Sequence, residues 1–292
     1  MRISQTRLRA VVLGVSATLG VCQAFAGETH KESRMEIAPG GTLTVTTGGG
    51  SVNLKQGAVG AAVVAYTTHS DKVEVDRTST ADHRRIEIRT HVLTEQKPAA
   101  DESKVDYEIS IPPGVSVTVS TVSAPITADG VSGEMNLSSE SGQVTVRNAN
   151  RSHVIMQGVA APVSLTNLSA ARIDIMANSG AVQLTNVWGP KIHVATSSGN
   201  ISYQGDCSGV GSYWFSTHSG NIDLALPETA SVDLAARTYN GTLENDFPLQ
   251  KKSHTSSSPP KQGSSFAGTS HSGASAVELQ SINGKIRVKK QQ

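Results

Sequence analysis

The phrase "TSSGNISYQG", which begins at Thr196, returns as "THSGNIDLAL" at Thr217. A fixed period constrains a chain more than any other feature, because every copy must build the same supersecondary unit. Aligned on a recurring Gly or Ala, the copies place Gly142, Ala161, Gly180, Gly199, Gly220 and Gly241 in one slot, at intervals of 19, 19, 19, 21 and 21 residues. Ala124 fills the slot 18 residues before Gly142, and Gly50 and Gly284 repeat the phrase near the two ends.

Around each anchor the apolar residues alternate. Ile192 and Val194 precede Gly199, and Tyr213 and Phe215 precede Gly220, at seven and five residues before the slot. Val182 and Leu184 follow Gly180 at two and four residues after it. A period of two marks a half-buried strand. Each copy therefore reads as strand, tight corner, strand and loop. One copy cannot bury its apolar face alone, so the copies must stack. An antiparallel sandwich is the competing arrangement, but it predicts less regular spacing. The expected fold is all-β: a β-solenoid, like a parallel β-helix, with coils of about 19–21 residues. The anchor is expected to be small because the corner crowds the backbone and can need a positive φ.

Two stretches depart from the period. Residues 58–112 carry longer, more charged strands such as "KVEVDRT" and "RRIEIRTHVLT", and read as an irregular N-terminal β region. Residues 251–275 are polar and low in complexity, with a Pro pair, and read as a mobile loop. The phrase "SAVELQSINGKIRVKK" then resumes the pattern and is expected to close the final coil.

Residues 1–26 stand apart from the repeat. Three arginines, the apolar run "AVVLGVSATLGV" and the small-x-small triplet Ala24-Phe25-Ala26 form the pattern of a secretory signal peptide cleaved after Ala26. An uncleaved anchor is the alternative. A lipoprotein would use Cys22, but Val21 precedes it where a small residue is needed. The expectation is one domain over residues 27–292, exported to the periplasm, the cell surface or the medium. The segment holds three positive charges and no acid, so removing it moves the formal net charge from +1 to −2. No basic block remains for nucleic acid, and no later stretch is apolar enough to span a membrane. Cys207 is then the lone cysteine and cannot form an internal disulfide.

The order "DYEISIPPGVSVTVSTVSAPITADGVSG", successive "SG-x-V-x-L" coils, a Gly/Ser loop and a terminal "INGKIRV" resembles a bacterial adhesin-like β-strand-repeat family, a large domain family of unknown function. The likeness extends over about residues 40–290. It implies an exported or envelope-associated β-solenoid. The adhesin label follows the architecture and brings no catalytic residues with it.

Chemistry has to be sought on the outward positions. In successive first strands these are Thr118, Asn136, Ile155, Asp174, His193, Trp214 and Ala235. Stacking at about 4.8 Å makes Asp174, His193 and Trp214 neighbours on an exposed face. Such a trio can be a ligand-binding patch, with Trp214 as a stacking platform for a glycan or a protein partner. It can equally be a cross-strand charge pair beside an aromatic. In the second strands Asp223 and Glu244 fall next to each other, as paired carboxylates or as ordinary surface. No metal pattern, "GxSxG" elbow or phosphate loop occurs. No catalytic residue, metal or cofactor is therefore expected. The leading expectation is a non-enzymatic envelope protein with an unknown envelope or surface partner, a glycan among the candidates. The alternatives are a polysaccharide lyase or hydrolase built on a parallel β-helix, and a periplasmic accessory factor for envelope stress or assembly.

Overall fold

The structure is a computed structural model that describes residues 28–93, 102–207, 209–251 and 263–291. Its described residues form twenty-five strands and no helix. The first seven are β1 (Thr29–Glu36), β2 (Thr42–Thr47), β3 (Gly49–Gln56), β4 (Ala61–Thr68), β5 (Val73–Ser79), β6 (Arg85–Val92) and β7 (Lys104–Ile111). The regular coils follow as pairs: β8 (Ser116–Thr121) with β9 (Ile126–Asp129), β10 (Glu134–Ser139) with β11 (Val144–Arg147), and β12 (His153–Gly158) with β13 (Val163–Leu168). Then come β14 (Arg172–Ala177) with β15 (Val182–Val187), β16 (Lys191–Thr196) with β17 (Ile201–Gln204), and β18 (Ser212–Thr217) with β19 (Ile222–Leu226). The chain ends with β20 (Val232–Thr238), β21 (Leu243–Asn245), β22 (Gln250–Lys251), β23 (Ser264–Thr269), β24 (Ser275–Ser281) and β25 (Ile286–Lys290).

Each coil gives its first strand to one sheet and its second to the other. One sheet has twelve strands, ordered β1-β4-β7-β3-β9-β11-β13-β15-β17-β19-β25-β21. The other has thirteen, ordered β22-β23-β20-β24-β18-β16-β14-β12-β10-β8-β2-β6-β5. Strands of successive coils are parallel and in register, as in Ile173↔Ile192↔Tyr213 and Val163↔Val182↔Ile201. The β-solenoid expected from the period is the observed architecture. The alternating residues named above, Ile192, Val194, Tyr213, Phe215, Val182 and Leu184, are all buried in a single core between the sheets.

The anchor slot is explained by crowding. A Cβ on Gly180 would lie 1.9 Å from the Ala161 carbonyl oxygen of the coil below, and one on Gly199 would lie 2.1 Å from that of Gly180. Positive φ plays no part at those corners and occurs in the slot at Gly50 alone (φ 94°). The hydroxyl three residues before the anchor has its own reason. Thr196 Oγ1 donates to the Gly199 carbonyl at 2.8 Å, and the Gly220 amide donates to Thr217 Oγ1 at 2.9 Å. Thr121, Ser139, Thr238 and Ser281 repeat the contact with their own anchors, and all six hydroxyl residues are buried. A buried corner cannot leave its backbone groups unpaired, and these coils meet that need with a hydroxyl, whereas the coils anchored on Ala161 and Gly180 carry Gly158 and Ala177 at the same position.

A second ladder runs along the opposite corner. Asn148, Asn167 and Asn186 each take a positive φ (55°, 57° and 53°). Their side-chain amides form a chain that starts on Asp129 Oδ1 and continues at 2.8, 3.2 and 2.9 Å. Asn tolerates the left-handed conformation better than other non-Gly residues.

Both ends of the stack depart from chain order. The final phrase of the sequence does not close the solenoid. β24 and β25 lie between the β18/β19 coil and the β20/β21 coil. At the other end β6 and β7 lie outside β2 and β3 and parallel to them, so residues 58–112 contain a further coil rather than only irregular strands. Antiparallel strands cover the ends: β5 on β6, β4 on β7, β1 on β4, and β23 on β20. β23 falls within the stretch expected to be a loop; residues 252–262 of that stretch, and the leader at 1–26, lie outside the described residues.

Candidate ligand-binding face

The thirteen-stranded sheet turns its odd-numbered side chains inward over β14, so Asp174 points out between the buried Ile173 and Ile175. The register places Asp174 beside His193 and His193 beside Trp214. The three residues sit together as the stacking of coils requires. His193 meets Trp214 ring edge to face, with centroids 4.3 Å apart and planes at 76°. Its Nδ1 lies 3.5 Å from Asp174 Oδ1. Its Nε2 is buried and has no hydrogen-bond partner.

Asp174 is the hub of a larger cluster. Lys191 Nζ donates to its Oδ1 at 2.8 Å, and His153 Nε2 lies 3.5 Å from its Oδ2. Partial burial raises the Asp174 pKa, but the Lys191 hydrogen bond and charge, with His153 and His193, outweigh it and hold the carboxyl below its ordinary range. His153 also approaches Glu134 at 3.8 Å. Asp174 is thus occupied by its neighbours, whereas Trp214 is half-buried on the outer face of the sheet. Sequence reasoning missed Lys191 and His153, which stand two residues before the outward row on the same face. The signal was available, because both positions recur with the period.

On the far side of Trp214 stands Glu278, not Ala235, because β24 is inserted there. Glu278 pairs with Arg237 at 3.3 Å and accepts a hydrogen bond from Gln280. The same insertion overturns the expected Asp223–Glu244 neighbours. Arg287 of β25 lies between them in the register. Its Nε donates to Glu244 Oε2 at 3.0 Å, and Lys285 binds the other oxygen. Those two hydrogen bonds, Lys285 first, hold the Glu244 pKa below its ordinary value.

The nearest approach to a catalytic constellation is Ser51, Asp106 and His69. Ser51 Oγ donates to Asp106 Oδ1 at 2.6 Å, and His69 Nε2 lies 2.7 Å from Asp106 Oδ2. The carboxylate stands between the other two, so the imidazole does not reach the hydroxyl as a general base must. Among the described residues no group of three or more His, Cys, Asp or Glu side chains is arranged to hold a metal ion. Cys207 is buried, and that burial pushes its thiol pKa up to about 12, which makes it a poor nucleophile. No helix of the described residues is long and apolar enough to cross a membrane.

Stacked two-strand coils, capped at both ends by antiparallel strands, define a β-solenoid class. Within that class, the chain belongs to the Toastrack DUF4097 family, which matches residues 41–289. No curated protein matches the sequence. Three solved structures are similar over 90% of this chain. One is a candidate cell adhesion protein from Clostridium sporogenes, with 12% identity, a TM-score of 0.33 and all of its chain covered. The others are candidate adhesins from Bacteroides fragilis, with 13% identity, a TM-score of 0.37 and 97% covered, and from Parabacteroides merdae, with 12%, 0.31 and 96%.

Proposed function

We propose that the protein is an exported, non-enzymatic envelope solenoid that binds a surface partner through the Trp214 face. The observation that carries this is the half-buried Trp214 ring on the outer face of the sheet, flanked on one side by His193 and on the other by Glu278 and Gln280. A flat apolar ring bordered by hydrogen-bonding groups suits the faces of sugar rings, which makes a glycan the favoured ligand. Asp174 orients His193 against the ring and takes no direct part, since its oxygens are already engaged. Adhesion is the activity that the descriptions of the similar structures suggest for those proteins, and this face offers a way to perform it.

What supports a binding role over hydrolysis or lyase chemistry is the state of the carboxylates. Asp174, Glu244 and Asp106 are each tied to cationic or hydroxyl neighbours rather than facing one another across a groove. The export reading rests on the pattern of residues 1–26 and predicts a mature chain starting at Gly27.

Two experiments test the proposal together. Intact mass and protease accessibility in whole and osmotically shocked cells report cleavage and compartment. A glycan array and envelope pull-down, run with the natural chain and with Trp214→Ala, report the face. Binding that disappears in Trp214→Ala at unchanged Tm supports the reading. Binding that survives the substitution, or a chain retained in the cytosol, overturns it.

A further inference from the structure

The opposite sheet holds a second candidate site, independent of the Trp214 face. On its outer surface the register aligns Gln204, Ala225 and Lys289 across β17, β19 and β25, and beside them Ser202, Asp223 and Arg287. Ala225 is a small side chain between two long ones. It leaves a depression of about 320 Å³, floored by Ala225 and walled by Ser202, Gln204, Asp223 and Lys289. Gln291 closes one end, its amide donating to the carbonyls of Ala225 (3.1 Å) and Gly205 (3.3 Å).

Two of the charges at this depression, Asp223 and Lys289, are left uncompensated. Arg287, the strand neighbour of Asp223, turns away to Glu244. Lys290 pairs with Glu228. Among the described residues the side chains of Asp223, Lys289, Ser202 and Gln204 have no ion pair or hydrogen bond. Asp223 and Lys289 are diagonal neighbours, about 8 Å apart at the backbone given strand spacings of about 4.8 Å and a rise of about 3.3 Å per residue. A simple anion drawn to Lys289 would meet the Asp223 carboxylate, and a simple cation the reverse. A molecule with both charges satisfies both walls.

We propose that this depression binds a small zwitterion of the α-amino-acid class. Its ammonium sits on Asp223 and its carboxylate on Lys289, and Ser202 and Gln204 supply hydroxyl and amide hydrogen bonds. The site lies where the C-terminal coil is inserted, so it exists only once β25 has docked against β19.

The test is calorimetric titration of the whole mature chain with glycine and L-serine, with acetate, methylammonium and glycerol as comparison probes. Saturable one-to-one binding of the amino acids is expected, at least about tenfold tighter than acetate or methylammonium. Asp223→Asn and Lys289→Gln should each weaken it by about tenfold or more. Ala225→Leu should abolish it by filling the depression. If Ala225→Leu fails to fold, the two charge variants carry the test, since each alters a surface side chain. No saturable binding below about 10 mM, equal binding of acetate or glycerol, or binding unaffected by the charge variants would overturn the proposal.

Discussion

At the scale of the residue, position within the coil decides what a side chain can be. Gly180 and Gly48 make the contrast. A Cβ at Gly180 collides with the Ala161 carbonyl, whereas one at Gly48 meets nothing within 4 Å. Gly180→Ala should therefore destabilise by at least about 1–3 kcal/mol, the range for overpacking, and Gly48→Ala should be nearly neutral. Urea denaturation of the two variants measures the difference. The hydroxyl ladder yields a second expectation. Thr217→Val removes the acceptor for the Gly220 amide and the donor to the Gly199 carbonyl. The Gly199 carbonyl keeps its bond from Thr196, but the buried Gly220 amide is left unpaired, which costs about 1–3 kcal/mol, and equal stability of the two proteins in the same titration would refute the ladder's role. Asp174 gives a pH dependence. Its folded pKa lies below the ordinary 3.8, so its ionised form stabilises the fold. That contribution is present above the ordinary value and is lost as pH falls through the lower folded one. The Tm of the natural chain should fall more steeply below about pH 4 than that of Asp174→Asn, as scanning calorimetry across pH would record.

At the scale of the element, a strand here is stable only through its neighbours in the stack. Val182 is buried on β15 and registers with Val163 below and Ile201 above. Burying such a side chain contributes about 1.5–3 kcal/mol, and an ionised carboxylate in its place would be unpaired in the core. Val182→Asp should unfold several coils together, seen as a loss of β signal in circular dichroism and a broadened or lowered transition. An unchanged melt would contradict nearest-neighbour stacking. The antiparallel strands at the ends serve a different need. The exposed face of β1 is rich in charge, and β21 and β22 are only three and two residues long. Short or charged edges resist pairing with other chains, which opposes end-to-end stacking of copies.

At the scale of the whole molecule, the inserted C-terminal coil is the decisive feature. Everything from β20 to β23 is joined to the remaining stack through β24 and β25. Deleting residues 275–292 should leave the β20–β23 cap without its partner and expose the edge of the β18/β19 coil. Hydrogen exchange should then show lost protection in residues 212–251 while the coils from β8 to β15 stay protected. Uniform protection throughout would mean that the cap holds without the insert. The completed Asp223–Lys289 depression should vanish in the same variant.

The period made the coil, its inward residues and the Asp174–His193–Trp214 row legible before any coordinates, because those depend on spacing along one chain and a fixed step between coils. The small anchor and the crowding behind it were legible too, but the group that does the crowding was not. Crowding by the carbonyl of the next coil is a contact between residues 19 apart that only the packed corner reveals. The order of coils at the ends was hidden for a stronger reason. Every copy of the phrase presents nearly the same apolar face, so local pattern does not say which copy lies against which. Chain order suggested that Glu244 follows Asp223 and that Ala235 follows Trp214. The docked C-terminal coil put Arg287 and Glu278 in those places, because backbone pairing and core burial are satisfied equally well by an insertion. The sequence by itself therefore determined the unit and what each unit buries. Only the tertiary structure decided the order in which the end units stack, and with it the charges that border Trp214 and the polar depression over Ala225.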